Sequence, residues 1–155
     1  MTSNQSSTVP LSHNPPRWLS WLFVGVSFLG FLDAGYLTAN HYLGIPLVCS
    51  LLQGCERVTA SPYSIMFGVP VALLGVLYYL TIFIFSVWYI DSGRAEALFT
   101  MAKLSIFGMA AALWFVSVQL FILHAICLYC MFSALTSTTL FLLGAYTLRR
   151  SWIRA

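Results

Sequence analysis

The chain has 155 residues, of which 60% are hydrophobic, 16% aromatic and only 7% charged, against roughly a quarter charged in a soluble domain. That balance excludes an ordinary soluble fold, and the length suits one domain. The formal charge of +3 gathers at segment ends, which reads as membrane orientation and excludes a nucleic-acid surface.

Residues 1–16, MTSNQSSTVPLSHNPP, are rich in Ser, Thr, Asn and Pro with no apolar period, so a disordered tail is expected there. His13 falls in it and carries no role. A spanning helix needs about 20 mostly apolar residues, and four stretches qualify, at about 18–37, 64–90, 98–123 and 127–148. The first continues past Asp33 through Tyr36 and Leu37 without a small-x-small site before the charge, so it reads as a span and not as a cleaved signal peptide. The predicted fold is an all-α membrane protein, a four-transmembrane-helix bundle over 17–155.

The basic residues sort by side. Arg17 precedes the first span, Arg94 and Lys103 lie around the turn between spans two and three, and Arg149, Arg150 and Arg154 follow span four; only Arg57 sits in the first loop. The positive-inside rule then puts both termini in the cytoplasm. The loop at 38–63 and the short turn His124-Ala125-Ile126 face the exterior or periplasm. Trp18, Trp21, Trp88, Tyr89 and Trp152 fall where interfacial aromatic belts form.

Four cysteines lie on that outer side. Cys49 and Cys55 belong to the first loop, and Cys127-Leu128-Tyr129-Cys130 opens the last span. An oxidising compartment favours disulfides between such thiols. Cys127 and Cys130 share the first turn of a helix, where unsatisfied amides and the helix dipole stabilise a thiolate. A C-x-x-C pair also serves zinc and haem. Met131 stands where haem attachment needs histidine, and Cys49 and Cys55 lack the two-residue spacing of a zinc knuckle, so no metal is expected. The remaining alternative is a static staple in the loop. Gly54 supplies the bend that pairing of Cys49 with Cys55 needs.

Inside the spans, Gln119 is an amide in an apolar stretch, which is costly unless partnered. Phe115, Gln119 and Leu123 follow at four-residue spacing on one face toward Cys127. Asp33 and His41 bracket the outer end of the first helix, where a carboxylate and an imidazole can relay protons. His124, beside Cys127, can tune its thiolate.

Taken together, Cys49…Cys55-Glu56-Arg57-Val58…Ser61…Phe67-Gly68-Val69-Pro70 followed by Cys127-Leu128-Tyr129-Cys130 resembles the vitamin K epoxide reductase family in its bacterial type. Asp33-Ala34-Gly35-Tyr36-Leu37-Thr38…His41 is similar to the end of helix one in bacterial members. The resemblance implies a four-helix bundle around a membrane quinone of ubiquinone or menaquinone type. It implies that Cys49 takes electrons from a thioredoxin-fold, DsbA-like partner, that Cys55 passes them to Cys127, and that Cys130 reduces the quinone. By position it adds Ser61, Tyr63 and Phe67 to Phe115, Gln119 and Leu123 around that quinone. Many bacterial members carry a fused thioredoxin-like domain, and none follows in this sequence, so a separate partner protein is expected. The expected function is a membrane thiol oxidase supporting disulfide formation from a bacterial inner membrane. Where vertebrate members have a tyrosine four residues after the second C-x-x-C cysteine, Ala134 stands here. The alternatives are a quinone or vitamin K epoxide reductase whose main product is the reduced quinone and, outside enzymes, a structural or transport subunit with a stapled loop.

Overall fold

A computed structural model describes residues 17–45, 54–66 and 68–153. Cys49, Phe67 and the tail at 1–16 lie outside the described residues. Four helices are long and apolar enough to cross a membrane: α1 (Arg17–Leu43), α3 (Val71–Ser92), α4 (Ala95–Ser117, continued by a π-helical turn Val118–Leu123) and α5 (Leu128–Ile153). A short α2 (Cys55–Thr59), a 3-10 turn (Pro62–Ser64) and a two-stranded ribbon of β1 (Ile65–Met66) and β2 (Val69–Pro70) precede α3. The ribbon is antiparallel, with Ile65 opposite Pro70.

Helices dominate because lipid offers no partner to an open peptide group. The many hydroxyls in the spans are accommodated the same way. Ser27 donates to the Phe23 carbonyl at 2.6 Å, Ser86 to Ile82 at 2.7 Å and Thr138 to Ala134 at 2.8 Å, each closing its own polar group within one helix.

Two helix ends beside the site differ from the sequence expectation. The first helix runs to Leu43, past the expected 37, because Thr38 and Asn40 bond back to Ala34 and Tyr36 and add no break. It stops at Gly44 in the left-handed region, φ 64, where a glycine carries no Cβ penalty. Asp33 therefore lies ten positions inside the helix, about 15 Å from its end at 1.5 Å per residue. It stands within α1 and not at its outer end. The second span starts at Val71 and not at 64. Pro70 removes an amide and holds Val69 in extended backbone, so Gly68-Val69-Pro70 forms a turn and strand before the helix instead of lying in it.

The helices close a ring in which α1 lies against α3 and α5, and α4 against α5 and α3. The half of the bundle near the α3–α4 turn is solid. Leu19, Phe23, Ile82, Ala97, Met101 and Leu140 are buried there in one apolar cluster. At mid-bundle the Tyr79 hydroxyl crosses from α3 to α5, bonding the Ser133 carbonyl at 2.7 Å, Thr136 Oγ1 at 2.8 Å and Ser137 Oγ at 2.9 Å. Beyond that tie the other half is hollow.

Candidate functional site

Cys127 is the residue immediately before α5. Its carbonyl accepts the Met131 amide at 3.0 Å, the first bond of the helix, so it occupies the N-cap and Cys130 follows in the first turn. The preceding backbone explains the placement. Widening of α4 into a π-turn, ended by His124 in the left-handed region at φ 48, brings the Gln119 side chain over the start of α5. Gln119 Oε1 accepts the Cys127 amide at 2.9 Å, which satisfies one of the helix's orphan donors. A local π-turn of this kind often marks a working site.

The Cys127 thiol is fully buried, yet its pKa is lowered from the ordinary value to about 7. The main cause is the Cys130 S–H donating to its sulfur, helped by the backbone amides of Cys130 and Tyr129. Burial acts in the opposite direction without prevailing. Cys127 and Cys130 are both free thiols, whereas Cys55 is disulfide-bonded.

Cys55, at the head of α2, is 1% exposed and packs with Cys127, Val58 and Leu123 in one small buried cluster. The close approach depends on Gly54. A Cβ there would meet the Ile126 carbonyl oxygen at 2.6 Å and the Ile126 nitrogen at 2.8 Å, so only glycine lets this loop rest on the turn before α5. The glycine expected from sequence as a bend residue is thus required by the docking of loop on helix. Thr59 and Ser61 hold α2 in shape, donating to the Cys55 carbonyl at 2.9 Å and the Val58 carbonyl at 2.7 Å.

Beneath the cysteines lies a mostly apolar cavity of about 810 Å³, bounded by all four long helices and the α2–α3 segment. It brings together Ser61, Tyr63, Phe115, Gln119 and Leu123, five of the six residues expected around a quinone; the sixth, Phe67, lies outside the described residues. Asp33, His41 and Cys130 line the same cavity, and Cys127 does not. His124 is exposed and lies away from it. Sequence reasoning missed several polar members of the wall, Asn40 and Tyr78 among them. Nothing in an apolar span distinguishes Tyr78, whose hydroxyl has no partner among the described residues, from Tyr79 beside it, whose hydroxyl ties α3 to α5. Among the described residues no cluster of His, Cys, Asp and Glu has the makings of a metal centre.

The cavity suits a quinone on physical grounds. Such a ring needs apolar walls and a few hydrogen-bond donors for its carbonyls, and two buried polar atoms here, Asp33 Oδ2 and Tyr78 Oη, have no hydrogen-bond partner among the described residues.

Fold and site together define a class: a multi-pass membrane protein whose last helix presents a thiol pair between a cysteine-bearing loop and an apolar cavity. The chain belongs to the Vitamin K epoxide reductase family, whose pattern it matches over residues 21–145. It is similar to the thiol-disulfide oxidoreductase LTO1 of Arabidopsis thaliana, with 32% identity over 124 residues, 73% of this chain and 32% of that protein. The chain thus spans about a third of that relative's length. Family and relative both support oxidoreductase chemistry at thiols in a membrane.

Proposed function

We propose that the protein is a membrane thiol oxidase that takes two electrons from a thioredoxin-fold thiol protein and passes them through its cysteines to a membrane quinone, so that client proteins gain disulfides. The observation that carries this reading is the placement of Cys55 and Cys127 in one buried cluster while Cys130, a turn away, opens onto the cavity. The thiols thereby bridge a loop within a partner's reach and a site suited to an apolar oxidant.

The chemistry follows thiol–disulfide exchange. The partner's dithiol opens the loop disulfide of Cys49 and Cys55. Cys55 thiolate then attacks the Cys127 sulfur of a Cys127–Cys130 disulfide, and Cys130 leaves as a thiolate toward the cavity. Cys49 closes on Cys55 and releases Cys127. A bound quinone supplies a two-electron acceptor. Cys127 and Cys130 rejoin as their electron pair is given up, and their two S–H protons are matched by two protons delivered to oxygen. The lowered Cys127 pKa suits it both as a leaving group for Cys49's attack and as the thiolate that closes on Cys130.

The charge distribution supports an outward site in a bacterial inner membrane, since Arg57 is the only basic residue of the first loop. One experiment tests the reading. Purified protein, fully reduced, is mixed with a short-chain benzoquinone and its thiols are counted by alkylation and mass. Loss of alkylation at the cysteines is expected. Four thiols still alkylated after quinone addition would rule out the oxidase and favour a structural subunit.

A further inference from the structure

Inside lipid an ionisable side chain is expensive and persists where it works. Asp33 sits mid-span on α1, and its Oδ2 is buried without a partner. On α3, the Tyr78 hydroxyl is the other such atom among the described residues, and both residues line the cavity that holds Cys130. The hydroxyl of Ser137, beside Tyr78, is engaged with Tyr79 at 2.9 Å instead. Tyr78 is also held in place. A Cβ on Gly108 of α4 would collide with its phenol oxygen, so the ring is seated against a helix that leaves room for nothing larger than hydrogen.

A native structure rarely leaves two buried polar atoms unsatisfied in one cavity, because each costs about 1–3 kcal/mol. A ligand that only accepts hydrogen bonds, with two carbonyls on a flat apolar ring, resolves both. Tyr78 has an O–H to give, and so does Asp33 in its carboxylic acid form.

Resting on the oxidase reading above, we infer that Tyr78 and Asp33 are the polar contacts of the quinone head group: Tyr78 holds one carbonyl through its hydroxyl, and Asp33 donates a proton to the other as electrons arrive. The balance closes on this chain's own groups. As the Cys127–Cys130 S–S bond forms, the dithiol loses two electrons and two S–H protons. Asp33 gives its proton to a quinone oxygen and is refilled by the proton shed by Cys130 across the cavity. The second proton comes from Cys127 or, where that is already a thiolate, from water at the mouth, where exposed His41 lines the same cavity. Asp33 is thus a proton donor with a defined source, and Tyr78 fixes the ring in the orientation that meets it.

The test measures binding of a short-chain benzoquinone by quenching of tryptophan emission, alongside the infrared difference between bound and free protein. Tyr78→Phe is expected to weaken binding about tenfold, the loss of one hydrogen bond. Asp33→Asn keeps a donor, so binding stays within about twofold, while quinone-driven closure of the thiols slows at least about 100-fold. Wild-type protein is expected to show a carboxyl band that shifts on binding and that Asp33→Asn removes; of the chain's four acidic residues, Asp91 and Glu96 are exposed at the far end, and the variant separates Asp33 from Glu56. Wild-type affinity in Tyr78→Phe, wild-type rates in Asp33→Asn, or no carboxyl shift overturns the assignment while leaving the oxidase reading intact. Wild-type protein that binds no quinone overturns both.

Discussion

The two halves of this bundle are built from the same residue types and behave oppositely. Near the α3–α4 turn, Phe23, Ile82, Met101 and Leu140 fill the centre, and the hydroxyl of Ser86 is spent on its own helix and on the Met101 sulfur at 3.1 Å. Near the cysteines the same four helices enclose about 810 Å³, and the polar groups Asp33 and Tyr78 are left over. In lipid, helices gain little from burying apolar surface and associate through close packing and hydrogen bonds. The solid half therefore supplies the association, with the Tyr79 network as its upper limit, and frees the other half to be hollow without the bundle opening.

That contrast can be broken most severely at the thiols. Cys130→Ser is expected to abolish quinone-driven oxidation altogether while leaving thermal stability unchanged, as read by alkylation and by helical circular dichroism on heating. A large loss of stability would show that the cysteine end contributes to packing after all. Next in size, Gly54→Val places side-chain carbons where Ile126 already stands. Exchange between Cys55 and Cys127 should slow about 100-fold, the scale on which a misplacement of about 1 Å acts; a mixed disulfide trapped at the wild-type rate would contradict the docking described here.

The halves themselves are compared by truncation. Ile82→Ala in the solid half should cost about 2–5 kcal/mol, because it opens a cavity in close packing. Phe115→Ala, in a wall that already borders empty space, should cost less than Ile82→Ala, and equal losses would remove the distinction between solid and hollow. The smallest effect concerns pH. With the Cys127 pKa lowered to about 7, its ultraviolet thiolate absorbance should rise as pH increases through about 7. Its contribution to stability has the sign of any depressed acid, present above the unfolded value near 9 and lost as pH falls toward 7. Cys130→Ala removes the main hydrogen bond and should move the midpoint upward. A midpoint that stays put would assign the stabilised thiolate to the backbone amides alone.

Much of this was legible before any coordinates. Length and hydropathy marked four spans, and the spacing of Cys55, Ser61, Gly68-Val69-Pro70 and Cys127-Leu128-Tyr129-Cys130 marked the family. Those signals are local or compositional, and a span in lipid is dictated by its own residues because it must satisfy its backbone alone. Helix ends were less legible. Thr38 and Asn40 look like polar stops in a list of residues, but their side chains bond back along α1 and prolong it.

What only the tertiary structure decided is which faces meet. Every residue around an apolar span has nearly the same hydropathy, so periodicity does not separate lipid-facing from cavity-facing positions. Tyr78 and Tyr79 are adjacent in sequence and both line the cavity, yet the Tyr79 hydroxyl is spent on α5 while that of Tyr78 is left without a partner among the described residues. Gln119 was recognisable as a polar residue needing a partner, yet its partner, the amide of Cys127, was reached only through a π-turn that no spacing rule announces. Asp33 carried its meaning in its depth, which follows from where α1 ends. The chemistry-bearing residues were thus written in the sequence, and their assembly around one hollow was set by the packing of four helices against each other.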